Sequence, residues 1–517
     1  MTRRIRILSV AALLVAAACD TEEPRARQQQ PEPEPEPTGR TVVGLRQLEW
    51  RYATGTDVAP TDLDTAVVQA HCPDGEGGWT IHPGHGEPDG TFVIEGLPEG
   101  HCWVRMDRWE GGEHPPEDEY FWTDASTLDF GTVKVEREQV DFFVASTRIS
   151  LAVDGLEAWV PGEHELGLLV PNVTFSQYNF ADFPGSVEGI PGAGETAAES
   201  ISYELANLST PAFSAEKGDR PLILQSGLRE NDRGNAWFTP LRAFEGEPFS
   251  LDEGGTAHVE GTLVELEQHT YRLHWDIPAF DALADGIREG ATPFARGFAY
   301  LSSRGVEEDA WHHGSRPWQA FVVADESIFD TAEAVDFGDV VHGNPIPGGT
   351  FYDWYQVWYR TLLPWFDDSE QELWATAGRY GGPAPTAEEG ARPLVAPVTG
   401  IRIGGRDASQ PLADVGPQPT ISWQPPVTGE ITSYEIDLVT PGAGDMAMGG
   451  FFRKAAHLVV PGDVTEIVLP VDLLREGFRY AVIVRAVSSE GQEVRTAPLA
   501  RALPYAWADA VSETFLP

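Results

Sequence analysis

Hydrophobic and polar residues alternate in many short stretches of this chain, and a helical pattern stands out only once. Alternation occurs at residues 149–153, 222–224, 257–266 and 271–275, with Gly, Pro, Asp and Asn between them. Because strand side chains point alternately to two faces, this pattern predicts short strands joined by turns. One segment, which begins at Pro278, instead has its apolar residues on a single helical face: Phe280, Leu283, Ala284 and Ile287. It ends before Gly290, a residue type typical of helix ends. The expected fold is all-β with one short helix.

The length and the turn-rich composition indicate several domains. One hydrophobic core rarely organises more than roughly 250–300 residues, and this chain has 517. Its 53 Gly and 41 Pro residues suit short strands with many turns. We therefore predict a multidomain array of β-sandwiches. The expected boundaries are 41–145, 146–254, 255–390 and 391–517; the second domain is of no recognisable type and the third holds the helix.

The N terminus has the order of features found in exported proteins. Three arginines precede an apolar run at residues 7–17 that is too short to span a bilayer. The small residues before Cys19 resemble the lipobox of bacterial lipoproteins. That resemblance implies a signal peptide at residues 1–18, a lipid on the Cys19 sulfur and a place in the cell envelope. It leaves open the outer or the inner membrane, and an ordinary secretory leader is the alternative.

A tether is expected between this anchor and the folded chain. Proline and glutamate alternate within residues 19–40, a composition that cannot build a core. Proline favours an extended polyproline II path. The tether therefore predicts a folded part that stands away from its membrane and uses the lipid as its membrane contact.

The charge of the chain excludes one class of partner. Asp and Glu number 81 against 35 Lys and Arg, a formal net charge of −46. A surface this acidic repels phosphate backbones, so nucleic acid is not an expected partner. Envelope proteins or polysaccharides remain as candidates.

Two further cysteines, Cys72 and Cys102, allow two interpretations. Each lies at the end of a strand-like run, and cysteines of exported domains usually pair, which favours a disulfide. Alternatively, both thiolates could join His82 and His85 in a zinc site, since thiolate and imidazole are ligands that zinc prefers. We expect the disulfide and no metal.

The first domain carries a turn, an alternating strand and a second turn at residues 89–100, which read Asp-Gly-Thr-Phe-Val-Ile-Glu-Gly-Leu-Pro-Glu-Gly. This order resembles transthyretin-like, or carboxypeptidase-regulatory-like, β-sandwich domains. The resemblance implies a structural or adhesive spacer for residues 41–145 and no catalysis.

The last domain shows the most complete pattern. Residues 419–426, 433–438 and 467–470 look like strands B, C and E of a fibronectin type III domain. Within that resemblance, Trp423 is the core tryptophan, and Tyr480 is the corner tyrosine that opens strand F. The resemblance implies a seven-stranded sandwich used for spacing and binding.

The densest aromatic run, residues 351–360, is the candidate ligand-binding segment. It follows a Gly- and Pro-rich turn and favours a strand. If exposed, Trp354 and Trp358 could stack against sugar rings or a protein partner. If buried, the run is simply core, and burial is the more common outcome for such a run.

Catalytic signatures do not accumulate. Ser214 and Lys217 have the spacing of penicillin-binding enzymes but lack the accompanying Lys-Thr-Gly, and residues 311–315 offer histidines and a serine without a third partner. We therefore expect no catalytic residue, no cofactor and no enzyme. The predicted function is a lipid-anchored envelope protein acting as a binding or scaffold module. The alternatives are a carbohydrate-binding surface protein that uses the middle domains' aromatic residues and, third, a hydrolase with a dispersed site.

Overall fold

β-Strands dominate the structure, a computed structural model, as the alternating pattern predicts. The leader, Cys19 and the tether up to residue 38 lie outside the described residues, as does the segment 311–315. The structure describes residues 39–52, 54–76, 78–108, 117–134, 137, 147–171, 173, 178–179, 187–204, 212–251, 254–303, 320–324, 333–346, 350–364, 370–381, 390–442 and 452–517.

The first sandwich encloses a core that includes Phe92, Val104 and Phe121. The alternating segment near residue 90 forms its sixth strand, in which Phe92, Ile94 and Leu97 are buried and the residues beside Phe92 and Ile94 are exposed. The strands are β1 (Arg40–Leu45), β2 (Gln47–Tyr52), β3 (Gly55–Pro60), β4 (Val68–Pro73), β5 (Trp79–Gly86), β6 (Thr91–Leu97), β7 (Cys102–Arg108), β8 (Glu117–Thr123), β9 (Thr127–Asp129) and β10 (Thr132–Lys134).

The second sandwich packs two sheets around Leu151, Leu168 and Ile223. One sheet has the order β14, β15, β11, β18, and the other contains β13, β12, β16 and β17. Strand β18 lies beyond residue 254 yet pairs with β11. The strands are β11 (Arg148–Asp154), β12 (His164–Leu169), β13 (Tyr178–Asn179), β14 (Val187–Glu188), β15 (Ala197–Glu204), β16 (Leu222–Glu230), β17 (Ala236–Glu245), β18 (Thr256–Thr262) and β19 (Val264–Glu265).

The third region places a two-stranded sheet, β20 and β23, beside the long strands β21, β24 and β25. The expected helix is present as two short pieces, and Asp276 caps the first by accepting from the Ala279 N–H. The elements are β20 (Gln268–Trp275), α1 (Ile277–Asp281), α2 (Ala284–Ile287), β21 (Thr292–Ser303), β22 (Ala320–Ala324), β23 (Val335–Gly343), β24 (Thr350–Pro364) and β25 (Glu370–Tyr380).

The C-terminal sandwich pairs one sheet, ordered β27, β26, β28, β31, with a second, ordered β30, β29, β32, β33. Trp423 lies between them, 5.1 Å from the Tyr434 ring. Tyr480 accepts a hydrogen bond from the Arg475 N–H at 3.0 Å, the expected tyrosine corner. The strands are β26 (Thr399–Ile403), β27 (Arg406–Asp407), β28 (Thr420–Gln424), β29 (Ser433–Pro441), β30 (Phe452–Pro461), β31 (Glu466–Val468), β32 (Ala481–Ser489) and β33 (Tyr505–Val511).

Main-chain pairing continues from one sandwich to the next. Strand β30, at one edge of the C-terminal sheet, runs parallel to β8 of the first sandwich. At the other edge, β33 pairs antiparallel with β25 of the third region, and β22 of that region pairs with β17 of the second sandwich. Both edges of the C-terminal sheet are thus occupied, and a hydrogen-bonded path runs through all four regions.

Side chains join the first sandwich to the second. Lys217 Nζ lies 3.3 Å from Tyr52 Oη and also pairs with Asp57. Gly218 has a positive φ of 77°, and a Cβ there would lie 2.5 Å from Thr54, so the close approach favours glycine. These contacts hold the β2–β3 hairpin against the second sandwich.

Candidate functional site

The two cysteines form a disulfide that links the ends of β4 and β7, as predicted. Both cysteines are buried. The neighbouring His71 packs its ring against the edge of the Tyr120 ring. The disulfide consumes the thiolates that the zinc interpretation requires. Within the described ranges, no group of three His, Cys, Asp or Glu residues is arranged to hold a metal ion.

The aromatic run divides between the two faces of β24. Tyr355, Val357 and Tyr359 are buried, while Trp354 and Trp358 on the opposite face are half-buried. Burial raises the pKa of Tyr355 to about 12. The expectation of burial therefore holds for one face of the strand, and ligand binding by the indoles of the other face stays a prediction.

We call the half-exposed side of this sheet the aromatic face. Trp354 and Trp358 have ring centroids 5.8 Å apart at an interplanar angle of 69°. Trp354 also lies 6.4 Å from the ring of Tyr380, which stacks on the buried Tyr505 at 5.4 Å. The aromatic face comprises Trp354, Trp358, Tyr380, Tyr505 and Trp507.

Glycines on neighbouring strands make room for the indoles. In the cross-strand register, Gln356 is opposite Gly297 of β21 on one side and Gly378 of β25 on the other. A Cβ on Gly297 would lie 2.9 Å from Trp358 Cζ3 and 3.0 Å from Trp354 Cη2. Both indoles therefore lean over Gly297, in the space that a side chain would otherwise fill.

A hydroxyl connects the aromatic face to a set of charges. Trp507 Nε1 donates to Thr376 Oγ1 at 3.0 Å, and Arg485 donates to the same oxygen at 3.1 Å. Arg485 also pairs with Asp509 at 2.7 Å. These contacts fix the orientation of the Trp507 ring.

Beyond Arg485, charged side chains continue along the same face of the C-terminal sheet, and we call them the ionic cluster. Glu435 and Arg501 form a buried ion pair. Asp437 lies 2.6 Å from His457 Nδ1 and 3.0 Å from Lys454 Nζ. The ionic cluster comprises Glu435, Asp437, Lys454, His457, Arg485, Arg501 and Asp509.

Burial and opposite charge compete in the ionic cluster. Burial alone would raise the pKa of Asp437, but Lys454 and His457 outweigh it and hold that pKa below its usual value. Arg501 likewise overcomes the burial of Glu435 and lowers its pKa. Both carboxylates are therefore charged at neutral pH. The acidic and basic side chains of the cluster are paired with one another.

The ionic cluster was not among the predicted sites, although the sequence contains a signal for it. Arg485 and Asp509 each stand in the middle of an otherwise apolar strand, at positions where an isolated charge requires a buried partner. Which charges would meet depends on the pairing of β33 with β32 and of β32 with β29.

The spacing of Ser214 and Lys217 does not produce a nucleophile and base. Asp57 and Tyr52 bind the Lys217 ammonium and raise its pKa, which favours the charged form. A lysine can act as a general base only in its neutral form. This pair instead contributes to the junction between the first two sandwiches.

Comparisons with known proteins agree with the C-terminal architecture. Residues 417–501 match the family model of the fibronectin type III domain, so this part of the chain is a fibronectin type III domain. No curated protein is similar in sequence to the chain. None of the helices in the described part has the length and apolar character needed to span a bilayer.

Two solved structures illustrate the remaining similarity. The crystal structure of chicken CNTN1 FN1-FN3 domains is 10% identical and covers 73% of this chain and 97% of its own, with a TM-score of 0.15. A leucine-rich repeat protein from Bacteroides thetaiotaomicron is 8% identical and covers 50% of this chain and 30% of its own, with a TM-score of 0.13.

Proposed function

We propose that this protein is a non-catalytic binding scaffold of a bacterial cell envelope. In this proposal Cys19 carries the lipid, residues 19–40 form the tether, and residues 41–145 act as a transthyretin-like spacer. The chain has the β-sandwich architecture of binding and spacing modules, including one fibronectin type III domain.

The observation that carries the proposal is the main-chain pairing between sandwiches. A sandwich joined only by a linker can rotate, whereas strands that share ladder hydrogen bonds move together. Pairing of β8 with β30 and of β25 with β33 favours a body that presents its surfaces in a fixed arrangement. Such a body suits a scaffold held off a membrane.

The anchor is tested by labelling intact cells with radioactive palmitate and fractionating their envelopes. We expect wild-type protein to take up label and to remain with the membranes after a high-salt wash. Cys19→Ser should lose both properties, because lipid chains supply about 0.8 kcal/mol per buried CH₂. Cys72→Ser is the matched cysteine control and should still be labelled. Equal labelling of wild type and Cys19→Ser would contradict the anchor.

The hydrolase alternative makes a separate prediction. If the protein is a hydrolase, it turns over a substrate, and the variant His312→Ala loses this turnover. If it is a scaffold, no turnover is expected. Hydrolysis of ester, peptide or glycoside substrates by wild type, abolished in that variant, would replace the scaffold proposal by an enzyme.

A further inference from the structure

We infer that the aromatic face binds an uncharged polysaccharide chain. This inference rests on the proposed binding role and deepens it by naming the class of ligand. It starts from Trp354 and Trp358, which share a strand with buried core residues but point away from that core.

The first step is that the indoles are not needed in the core on the opposite side of β24, although Trp354 and Tyr380 pack against a smaller buried cluster that includes Leu503 and Trp507. The opposite face of β24 supplies that packing through Tyr355, Val357 and Tyr359, all at most 1% exposed. Trp354, Trp358 and Tyr380 remain half-buried. Aromatic side chains that cluster at a surface and stay partly in contact with water often mark interaction sites.

The second step is the shape of the site. The two indoles meet at 69° over Gly297, so one ring presents its plane beside the edge of the other. Between them on the strand, Gln356 offers an amide with both donor and acceptor atoms. An apolar wall with one polar group suits a sugar ring, whose C–H face can pack on an indole while its hydroxyls bond to an amide.

The third step is charge, which selects an uncharged polymer. Arg360 lies on the same face of β24, and it already pairs with Glu372 at 3.2 Å. The chain as a whole carries a formal charge of −46. An anionic polysaccharide would meet general repulsion, whereas a neutral one would not.

The test is affinity electrophoresis of the full chain in native gels that contain dextran, mixed-linkage β-glucan or galactomannan, with polygalacturonate as the acidic control. We expect at least one neutral polymer to retard wild-type protein and polygalacturonate not to do so. Trp354→Ala and Trp358→Ala should each weaken retardation about tenfold, the equivalent of losing one aromatic contact. Trp122→Ala removes a half-buried tryptophan elsewhere and should leave retardation unchanged.

Gly297→Ala gives a second test that keeps both indoles. The added methyl must displace the far ends of the Trp354 and Trp358 rings, which are side-chain atoms that can move. We expect weaker retardation together with changed tryptophan fluorescence and an unchanged urea midpoint.

Three results would overturn the inference: no retardation by any neutral polymer, retardation unaffected by the three variants, or stronger binding to polygalacturonate. Concentration-dependent dimerisation lost in the same variants would assign the face to a second copy of the chain. If one of these outcomes occurs while Cys19-dependent palmitate labelling is intact, the polysaccharide inference is wrong but the proposal of an anchored scaffold is not affected.

Discussion

The strands of the C-terminal sheet have two buried faces of opposite character. Toward β26, β28 and β31 they present Tyr434, Ile436 and Val484, with Trp423 among them. Away from that sheet, the same strands present Glu435 and most of the ionic cluster, and Arg501 reaches this face from the segment before β33. One sheet therefore has an apolar face held by packing and another face held by paired charges.

The two faces contribute differently to the folded state. Apolar packing is non-directional and stabilises the fold in proportion to the area buried. Buried charges gain little net stability, because desolvation offsets their attraction, but they tolerate few alternative arrangements. In this chain the ionic cluster orients Arg485 and, through Thr376, the Trp507 ring of the aromatic face.

The largest effect is expected on the apolar face. Trp423 is 5% exposed, and Trp423→Ala should reduce the free energy of unfolding by about 3–5 kcal/mol, since it leaves a cavity as well as losing burial. Urea denaturation of the full chain measures this loss. Trp354→Ala, on the aromatic face, is the matched control and should cost clearly less. Equal losses would contradict the distinction between core and aromatic face.

The second effect separates charge pairing from packing. Arg501→Met leaves Glu435 buried without its partner and should cost about 3 kcal/mol. The double variant Glu435→Leu with Arg501→Met removes both charges and should recover most of that loss. Arg229→Met, which breaks a half-exposed pair with Glu157, should cost less than about 1 kcal/mol. A double variant as unstable as the single one would show that the pair contributes net stability.

Sequence patterns identified local features of the first and the C-terminal sandwich. They located β28 and β29 to within a few residues, the core position of Trp423, the Tyr480 corner and the Cys72–Cys102 disulfide. Each depends on side-chain periodicity or on a short motif, and such signals are local. The fibronectin type III resemblance extended this to a whole sandwich.

The ionic cluster and the joined sheets were not predictable in the same way. Alternation in β29 places Glu435 and Asp437 on one face but cannot say that residues from the segment carrying Arg501 cover it. The pairing of β8 with β30 joins strands more than 300 residues apart in sequence. No periodic pattern encodes such a partner. For the ionic cluster, the isolated charges of Arg485 and Asp509 were the one sequence signal.

The third effect is acid sensitivity of the ionic cluster. Because the folded pKa of Asp437 lies below the unfolded value near 3.9, the stability it contributes is complete above that pH and is lost as pH falls below it. Urea midpoints should therefore drop steeply below about pH 4. Glu435→Leu with Arg501→Met removes one of the cluster's carboxylates and should make this drop shallower. An unchanged drop would show that Glu435 does not contribute to the acid sensitivity.

The smallest effect lies outside both faces, at His71 in the first sandwich, and occurs at a different pH. His71 is 2% exposed, and its burial, aided by the charge of Arg105, lowers its pKa to about 4. An unfolded chain binds a proton at this residue near pH 6.5, whereas the folded protein does so only near 4, so stability falls as pH is lowered between these values. His71→Gln should make the urea midpoint depend less on pH in that window. It should leave the drop below pH 4 in place. His342, whose burial also lowers its pKa to about 4, should keep a residual slope. If His71→Gln instead removed the drop below pH 4, that drop would not come from the ionic cluster, and the acid sensitivity assigned to its paired charges would be wrong.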